Sequence, residues 1–279
     1  MIVETRASFG GVGTRVLAVP GSDPPVVLLH GYADSADTWT EVLRGFGAAG
    51  RRAVAVDLPG FGRAGARAPG PLLGQFDAFA GALLKDLGPV VLVGNSLGAA
   101  TAVRAANRHP GLVAGLVALD DPVNARHWLA RLARLRPVPA PVWRGVGAIR
   151  LPAPAARALT EAAARKVLYG PDAVVNPDVV SRWSSLATQP RALETLGRYA
   201  FQYAIETAGG HREVRVNCPT LIVHGGRDRI IPVHASRILH RQIPGSDLVV
   251  LPRSGHCPQL DDPAAVVRLT LRLLDGIPR

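Results

Sequence analysis

The sequence predicts an α/β protein: a mostly parallel eight-stranded sheet, helices on both of its faces and one helical insertion. Three observations carry this expectation. Short apolar runs alternate with helical stripes along most of the chain, the pattern of a buried parallel sheet. The alternation stops after Asp120-Asp121-Pro122 and resumes at Thr220-Leu221-Ile222-Val223-His224. Between the two halves of the first stretch, Val91-Leu92-Val93-Gly94-Asn95-Ser96-Leu97-Gly98-Ala99-Ala100 reads as a strand, a Gly-x-Ser-x-Gly turn and an Ala-rich helix. That setting is what gives the pentapeptide meaning, because a serine held on a tight strand-to-helix turn points its oxygen off the sheet. A β-carbon at Gly94 or Gly98 would crowd the neighbouring strand and helix.

The elements follow in order. Residues 3–8 and 14–19 form a hairpin split by Gly10-Gly11-Val12-Gly13. Val26-Val27-Leu28-Leu29 is a strand buried on both faces and ends in His30-Gly31-Tyr32. Ser35 to Ala48 reads as one helix, with Trp39, Val42, Leu43 and Phe46 at helical spacing. Ala53-Val54-Ala55-Val56-Asp57 is the next strand and leads into Leu58-Pro59-Gly60-Phe61-Gly62. Gly60-Phe61-Gly62-Arg63-Ala64-Gly65 matches the dinucleotide fingerprint literally, but a loop with two prolines follows it instead of a helix, so no nucleotide is expected. Pro71 opens a helix with Leu72, Leu73, Phe76, Phe79, Leu83 and Leu84 on its apolar stripe. Helix 97–108 and strand 112–119 complete the first half. After the insertion come strand 220–224, helix 234–242, strand 247–251 and helix 263–275. The expected organisation is a core over 1–121, a helical insertion over 122–217 and the rest of the core over 218–279.

Composition narrows the function. Hydrophobic residues make up 48% of the 279, enough for a real core, so disorder is not expected. The opening Met1-Ile2-Val3-Glu4-Thr5-Arg6 has no leader-like apolar run, and no run reaches the roughly 18 apolar residues that cross a bilayer. A cytoplasmic protein without a membrane span is the expectation. The formal charge of +11 does not point to nucleic acid: Lys85 and Lys166 are the only lysines, and the arginines are scattered with few aromatics between them. Cys218 and Cys257 make no disulfide framework, and no His/Cys spacing suggests a metal. No cofactor is expected.

A serine hydroxyl attacks carbonyls only with a base in reach and an acid to orient that base. The best acid is Asp228, just past a strand end in His224-Gly225-Gly226-Arg227-Asp228, where strand ends gather catalysts. Its plainer reading is a surface pairing with Arg227 or Arg229. Asp120 or Asp121, past the preceding strand, is the competing acid. The best base is His256, in Ser254-Gly255-His256 after the last strand; its plainer reading is a structural loop histidine. His109, His127, His211, His224, His234 and His240 are assigned to structure or surface, and Cys257 to a spectator thiol.

Four segments in order, His30-Gly31-Tyr32, Asp57-Leu58-Pro59-Gly60-Phe61-Gly62, Gly94-Asn95-Ser96-Leu97-Gly98 and the pair Asp228/His256, resemble the α/β-hydrolase superfamily over nearly the whole chain. The resemblance implies the α/β-hydrolase fold, with the insertion as a helical cap over the site. It implies catalysis by Ser96, Asp228 and His256, with the backbone N–H groups of Tyr32 and Leu97 as the oxyanion hole. Tyr32, Trp128, Trp143, Trp183 and Tyr203 are the candidate substrate-pocket residues. For any one of the tryptophans or Tyr203, a place in the insertion's own core is the plainer reading. His127–Arg136 reads as a cap helix with a basic solvated face. Because family members that open epoxides or remove halide use an aspartate where Ser96 stands, an acyl-serine is implied here. Hydrolysis of a small hydrophobic carboxylic ester or related acyl compound is the leading expectation. Hydrolytic C–C cleavage of diketones by the same three side chains is the alternative, and a ligand receptor on the same fold a more distant one.

Overall fold

The computed structural model describes residues 1–125 and 138–277. Trp128 and the whole of the helix expected over His127–Arg136 lie outside the described residues. An antiparallel hairpin, β1 (Val3–Phe9) and β2 (Val12–Val19), opens the chain. The other strands are β3 (Ser22–Leu29), β4 (Arg51–Val56), β5 (Val90–Asn95), β6 (Val113–Leu119), β7 (Thr220–Gly225) and β8 (Asp247–Leu251). They form one eight-stranded sheet in the order β1-β2-β4-β3-β5-β6-β7-β8. Only the pairs of β2 are antiparallel; every pair from β4 to β8 is parallel.

Strand period two divides the core. On β3, Val27 and Leu29 point to one face, where α2 (Leu72–Leu87), α3 (Leu97–Arg108) and α8 (His234–Gln242) pack. Val26 and Leu28 point to the other, against α1 (Thr40–Ala48) and α10 (Pro263–Asp275). Every residue from Val26 to Leu29 is fully buried, as a strand covered on both sides requires. The segment expected as one helix over 35–48 is divided: a 3-10 turn at Ala36–Trp39 precedes α1. The Ala36 N–H is drawn to the Asp57 carboxylate at 2.7 Å, which tightens that first turn.

No strand occurs among the described residues of 122–217. Helices α4 (Ala140–Ala148), α5 (Ala153–Ala163), α6 (Pro177–Thr188) and α7 (Ala192–Thr207) follow one another there, with a π-helical turn at Ala164–Leu168. Glu206 of α7 ties this segment to the core. Its carboxylate accepts the Leu72 and Leu73 N–H groups at 2.8 and 2.7 Å, capping α2 from outside its own sequence. A short helix, α9 (Pro258–Asp261), leads into α10.

The turn between β5 and α3 has no space for side chains at its two glycines. A β-carbon at Gly94 would lie 2.2 Å from Gly98 O, and one at Gly98 would lie 2.0 Å from Leu29 O. Both obstacles are backbone, so they cannot rotate aside. Gly98→Ala is therefore expected to lower unfolding stability by about 3 kcal/mol or more. Urea denaturation against the parent protein measures it, and a loss under about 1 kcal/mol would contradict the packing described.

Candidate active site

Ser96 sits between β5 and α3 with φ 53°, a left-handed conformation rare for a residue with a side chain. Two backbone bonds hold it there: Ser96 N–H donates to Leu119 O at 2.9 Å, and Ala100 N–H donates to Ser96 O at 3.0 Å. The strained turn lifts the hydroxyl clear of the sheet at the carboxyl ends of the strands. Leu97, the first residue of α3, follows it.

Asp228 lies past the end of β7. Its Oδ1 accepts the Ile230 and Ile231 N–H groups at 2.7 and 2.9 Å, and its Oδ2 lies 2.7 Å from His256 Nδ1. A carboxylate only accepts, so Nδ1 carries the hydrogen and Nε2 keeps its lone pair. The Asp228 side chain is fully buried. Burial pushes its pKa up, but the bond and charge of His256 and the two amide donors outweigh that and hold it below the usual carboxylate range. The surface pairing with arginine considered from sequence is not what this geometry shows.

The histidine loop is fixed from three sides. His256 N–H donates to Leu168 O at 2.8 Å, on the π-helical turn. Asn95 Nδ2, one residue before Ser96, donates to His256 O at 2.9 Å. Gly255 N–H donates to Asp261 Oδ2 at 2.6 Å. A β-carbon at Gly225 would lie 1.8 Å from Gly255 O, so β7 and this loop pass backbone to backbone.

Ser96 and His256 line one cavity of about 350 Å³. Tyr32, Leu168, Trp183, Leu186, Leu196 and Ile230 supply its apolar wall. No hydrogen bond joins the Ser96 hydroxyl to the imidazole in this structure; such bonds commonly tighten only around a substrate. Tyr32 also binds across the site, its hydroxyl donating to Leu196 O on α7. A larger cavity of about 910 Å³ opens at the opposite ends of the strands, beside Pro24, Ala114 and Leu274, and no histidine is among the described residues that line it.

Of the candidate pocket residues, Tyr32 and Trp183 line the Ser96 cavity. Trp143 and Tyr203 do not. Trp143 packs edge-on against Phe201, 5.4 Å between ring centroids, and lines a separate cavity with Arg198. Trp143 thus packs within the insertion, whereas Tyr203 packs on the core face shared by α2 and α3, so neither the pocket nor the insertion's own core is its place. Trp128 lies outside the described residues.

The remaining polar residues organise loops. Buried His30 donates from Nδ1 to Gly31 O at 2.7 Å and accepts the Leu58 N–H at Nε2 at 2.9 Å, and burial depresses its pKa. Asp57 accepts from Arg15 Nε at 3.0 Å, from Ala36 N–H and from Arg63 N–H. His224 bonds Ser236 Oγ at 2.9 Å and Ile231 O at 3.1 Å, a structural role as expected. Both cysteines are free, and burial pushes the Cys257 thiol well above its ordinary pKa, leaving it an unreactive wall. Sequence reasoning gave Asn95 no role; its one available signal was a short amide directly before Ser96.

A model of the alpha/beta hydrolase family matches residues 26–269. The chain is 28% identical over 263 residues to a monoacylglycerol lipase of Mycolicibacterium smegmatis, covering 89% of this chain and 88% of that one. It is 29% identical over 265 residues to an esterase of Mycobacterium tuberculosis, covering 91% and 84%. Among solved structures, a meta-cleavage product hydrolase from Pseudomonas fluorescens superposes with a TM-score of 0.75 at 19% identity over 97% of each chain, a likeness of fold. With the strand order, the strained serine turn and this match along most of its length, the chain belongs to the alpha/beta hydrolase family.

Proposed function

We propose that the protein is a serine hydrolase that cleaves a carboxylic ester through an acyl-Ser96 intermediate. The observation that carries the reading is the buried Asp228–His256 bond, 2.7 Å long, whose imidazole shares an apolar cavity with Ser96. His256 Nε2 takes the Ser96 proton as the oxygen attacks the ester carbonyl. The N–H groups of Tyr32 and Leu97 receive the developing oxyanion, each such donor lowering the barrier by about 3 kcal/mol. Asp228 keeps the imidazole oriented and stabilises its cation. His256 then gives the proton to the leaving alcohol, and water activated by the same nitrogen releases the acid. The relatives named lipase and esterase support this choice of bond.

Cavity size narrows the substrate. About 350 Å³ is near the lower end of the roughly 300–1,000 Å³ typical of small-molecule sites. With its apolar wall, it suits a short to medium hydrophobic acyl chain. Residues 122–217 act as a cap: α6 and α7 contribute Trp183, Leu186 and Leu196 to the wall and keep water from the acyl-enzyme.

Fluorophosphonate labelling and p-nitrophenyl ester turnover test the proposal. Wild-type protein is expected to take one label at Ser96 and to release p-nitrophenol, with Ser96→Ala lowering kcat by about 10,000-fold or more. A wild-type protein that neither labels nor turns over would favour the receptor reading. A diketone in the same panel reads out C–C hydrolysis, and a diketone preferred over every ester would replace the ester assignment. Trp183→Ala, by widening the cavity, should move the preferred acyl chain to a longer one; an unchanged chain-length profile would remove Trp183 from the wall. Asn95→Ala should lower kcat by about tenfold with little change in KM, because His256 O loses its donor, and steady-state kinetics would show otherwise if the loop holds without it.

A further inference from the structure

Asp120 is a buried acid, beside Asp228, that this mechanism leaves unused. It follows β6 with φ 50° and is fully buried. Its Oδ1 accepts the Gly225 N–H at 2.9 Å and lies 3.3 Å from His224 Nδ1. Its Oδ2 is buried and receives no hydrogen bond. A carboxylate oxygen of Asp120, one of Asp228 and a ring nitrogen of His224 all lie within 4.8 Å of one another.

Two ionised carboxylates do not share so small and dry a space. Nor, among the described residues, is there a cation between them. Burial lowers the His224 pKa and so favours the neutral ring, in which Nε2–H donates to Ile231 O and Nδ1 accepts the Ser236 hydroxyl. Among the described residues the other groups bearing on Asp120 are Asp228 itself, Asp261 from α9 and the Cys257 thiol, none of them positive; His256 bonds Asp228. One proton therefore belongs to the two acids. Asp228 has three N–H donors, from Ile230, Ile231 and His256, and Asp120 has one, from Gly225. The oxygen set with more donors keeps the charge, so the proton goes to Asp120. Burial and the Asp228 charge raise the Asp120 pKa well above the usual range, while that of Asp228 is lowered.

We infer that Asp120 is a protonated positioning residue, giving its Oδ2–H to the Asp228 carboxylate and so holding that carboxylate on His256 Nδ1. The inference rests on the triad reading above for its effect on turnover, though not for the place of the proton.

Two variants separate the outcomes. Asp120→Asn keeps an N–H donor toward Asp228 and a carbonyl for Gly225. Asp120→Ala keeps neither. With a p-nitrophenyl ester, and folded enzyme counted by fluorophosphonate titration, the Asn variant should retain about a third or more of kcat. The Ala variant should lose about tenfold or more, with KM changed by less than about threefold in both. The acid limb of kcat/KM reports the base, and it should stand at the same pH in wild type and Asp120→Asn, because a neutral group is exchanged for a neutral one. Infrared spectra with isotope-labelled aspartate should show a carboxylic acid carbonyl band in wild type that Asp120→Asn lacks. An Asn variant as impaired as Ala, an Ala variant as active as Asn, a limb moved to lower pH in Asn, or an unchanged band would each overturn the inference. If wild type neither labels nor hydrolyses esters, the triad reading fails, and the infrared band still decides where the proton sits.

Discussion

The structure depends on a place where two backbones touch. At the turn from β5 into α3, the Gly98 α-carbon lies against Leu29 O and His30 O, so close that a methyl group would stand 2.0 and 2.7 Å from them. This contact brings the start of α3 under the end of β3. It is the reason the Ser96 oxygen, the Tyr32 loop and the N-terminus of α3 meet at one sheet edge. Were α3 to sit farther out, Ser96 would relax from its left-handed conformation into an ordinary helix start, and its hydroxyl would turn into the core.

The same edge is then laced together by hydrogen bonds that skip long stretches of sequence. His30 joins the β3 loop to Leu58 past β4. Asn95 joins the serine turn to His256, 161 residues away. Gly225 N–H reaches back to Asp120, past β6. Each strand end is thus tied to another through one donor and one acceptor, mostly fully buried. Such bonds contribute modestly to net stability, about 1 kcal/mol each, but leaving one partner unpaired in a buried site costs more. The arrangement therefore favours one geometry over its neighbours more strongly than it favours folding as such.

Much of this was legible in the sequence, for a definite reason. Strand and helix bounds follow from periodicity, so α3, α8, β8 and α10 stand where the sequence alone puts them. The serine turn was legible because its glycines answer to local backbone crowding. The preference for Asp228 over Asp120 was legible less firmly. Both follow strands and both are acids; what separates them is which carboxylate has the imidazole at 2.7 Å, a distance between residues far apart in the chain. Wall residues were legible only in part. Trp143 and Trp183 look alike in sequence, each on an amphipathic helix of the insertion, yet α4 turns its tryptophan toward Phe201 while α6 turns its own toward Ser96. Helix packing angles set those directions, and periodicity holds no information on them.

The segment between β6 and β7 also positions His256, whose loop hangs partly from it. Leu168 O, on the π-helical turn, receives the His256 N–H, and the Tyr32 hydroxyl reaches Leu196 O on α7. Asp261, beyond β8, accepts from both Gly170 and Gly255, clamping the same turn to the histidine loop. Gly170 has no space for a β-carbon, which would lie 2.0 Å from Arg253 O. A π turn sits badly in a free helix, since its wider ring wastes packing, and it persists where something else depends on its shape. Here the free carbonyl of its last residue, Leu168, is what meets the His256 amide. The insertion and the core thus share the position of one imidazole, and a change in how α5 and α6 pack would be felt at the His256 loop as well as at the cavity wall.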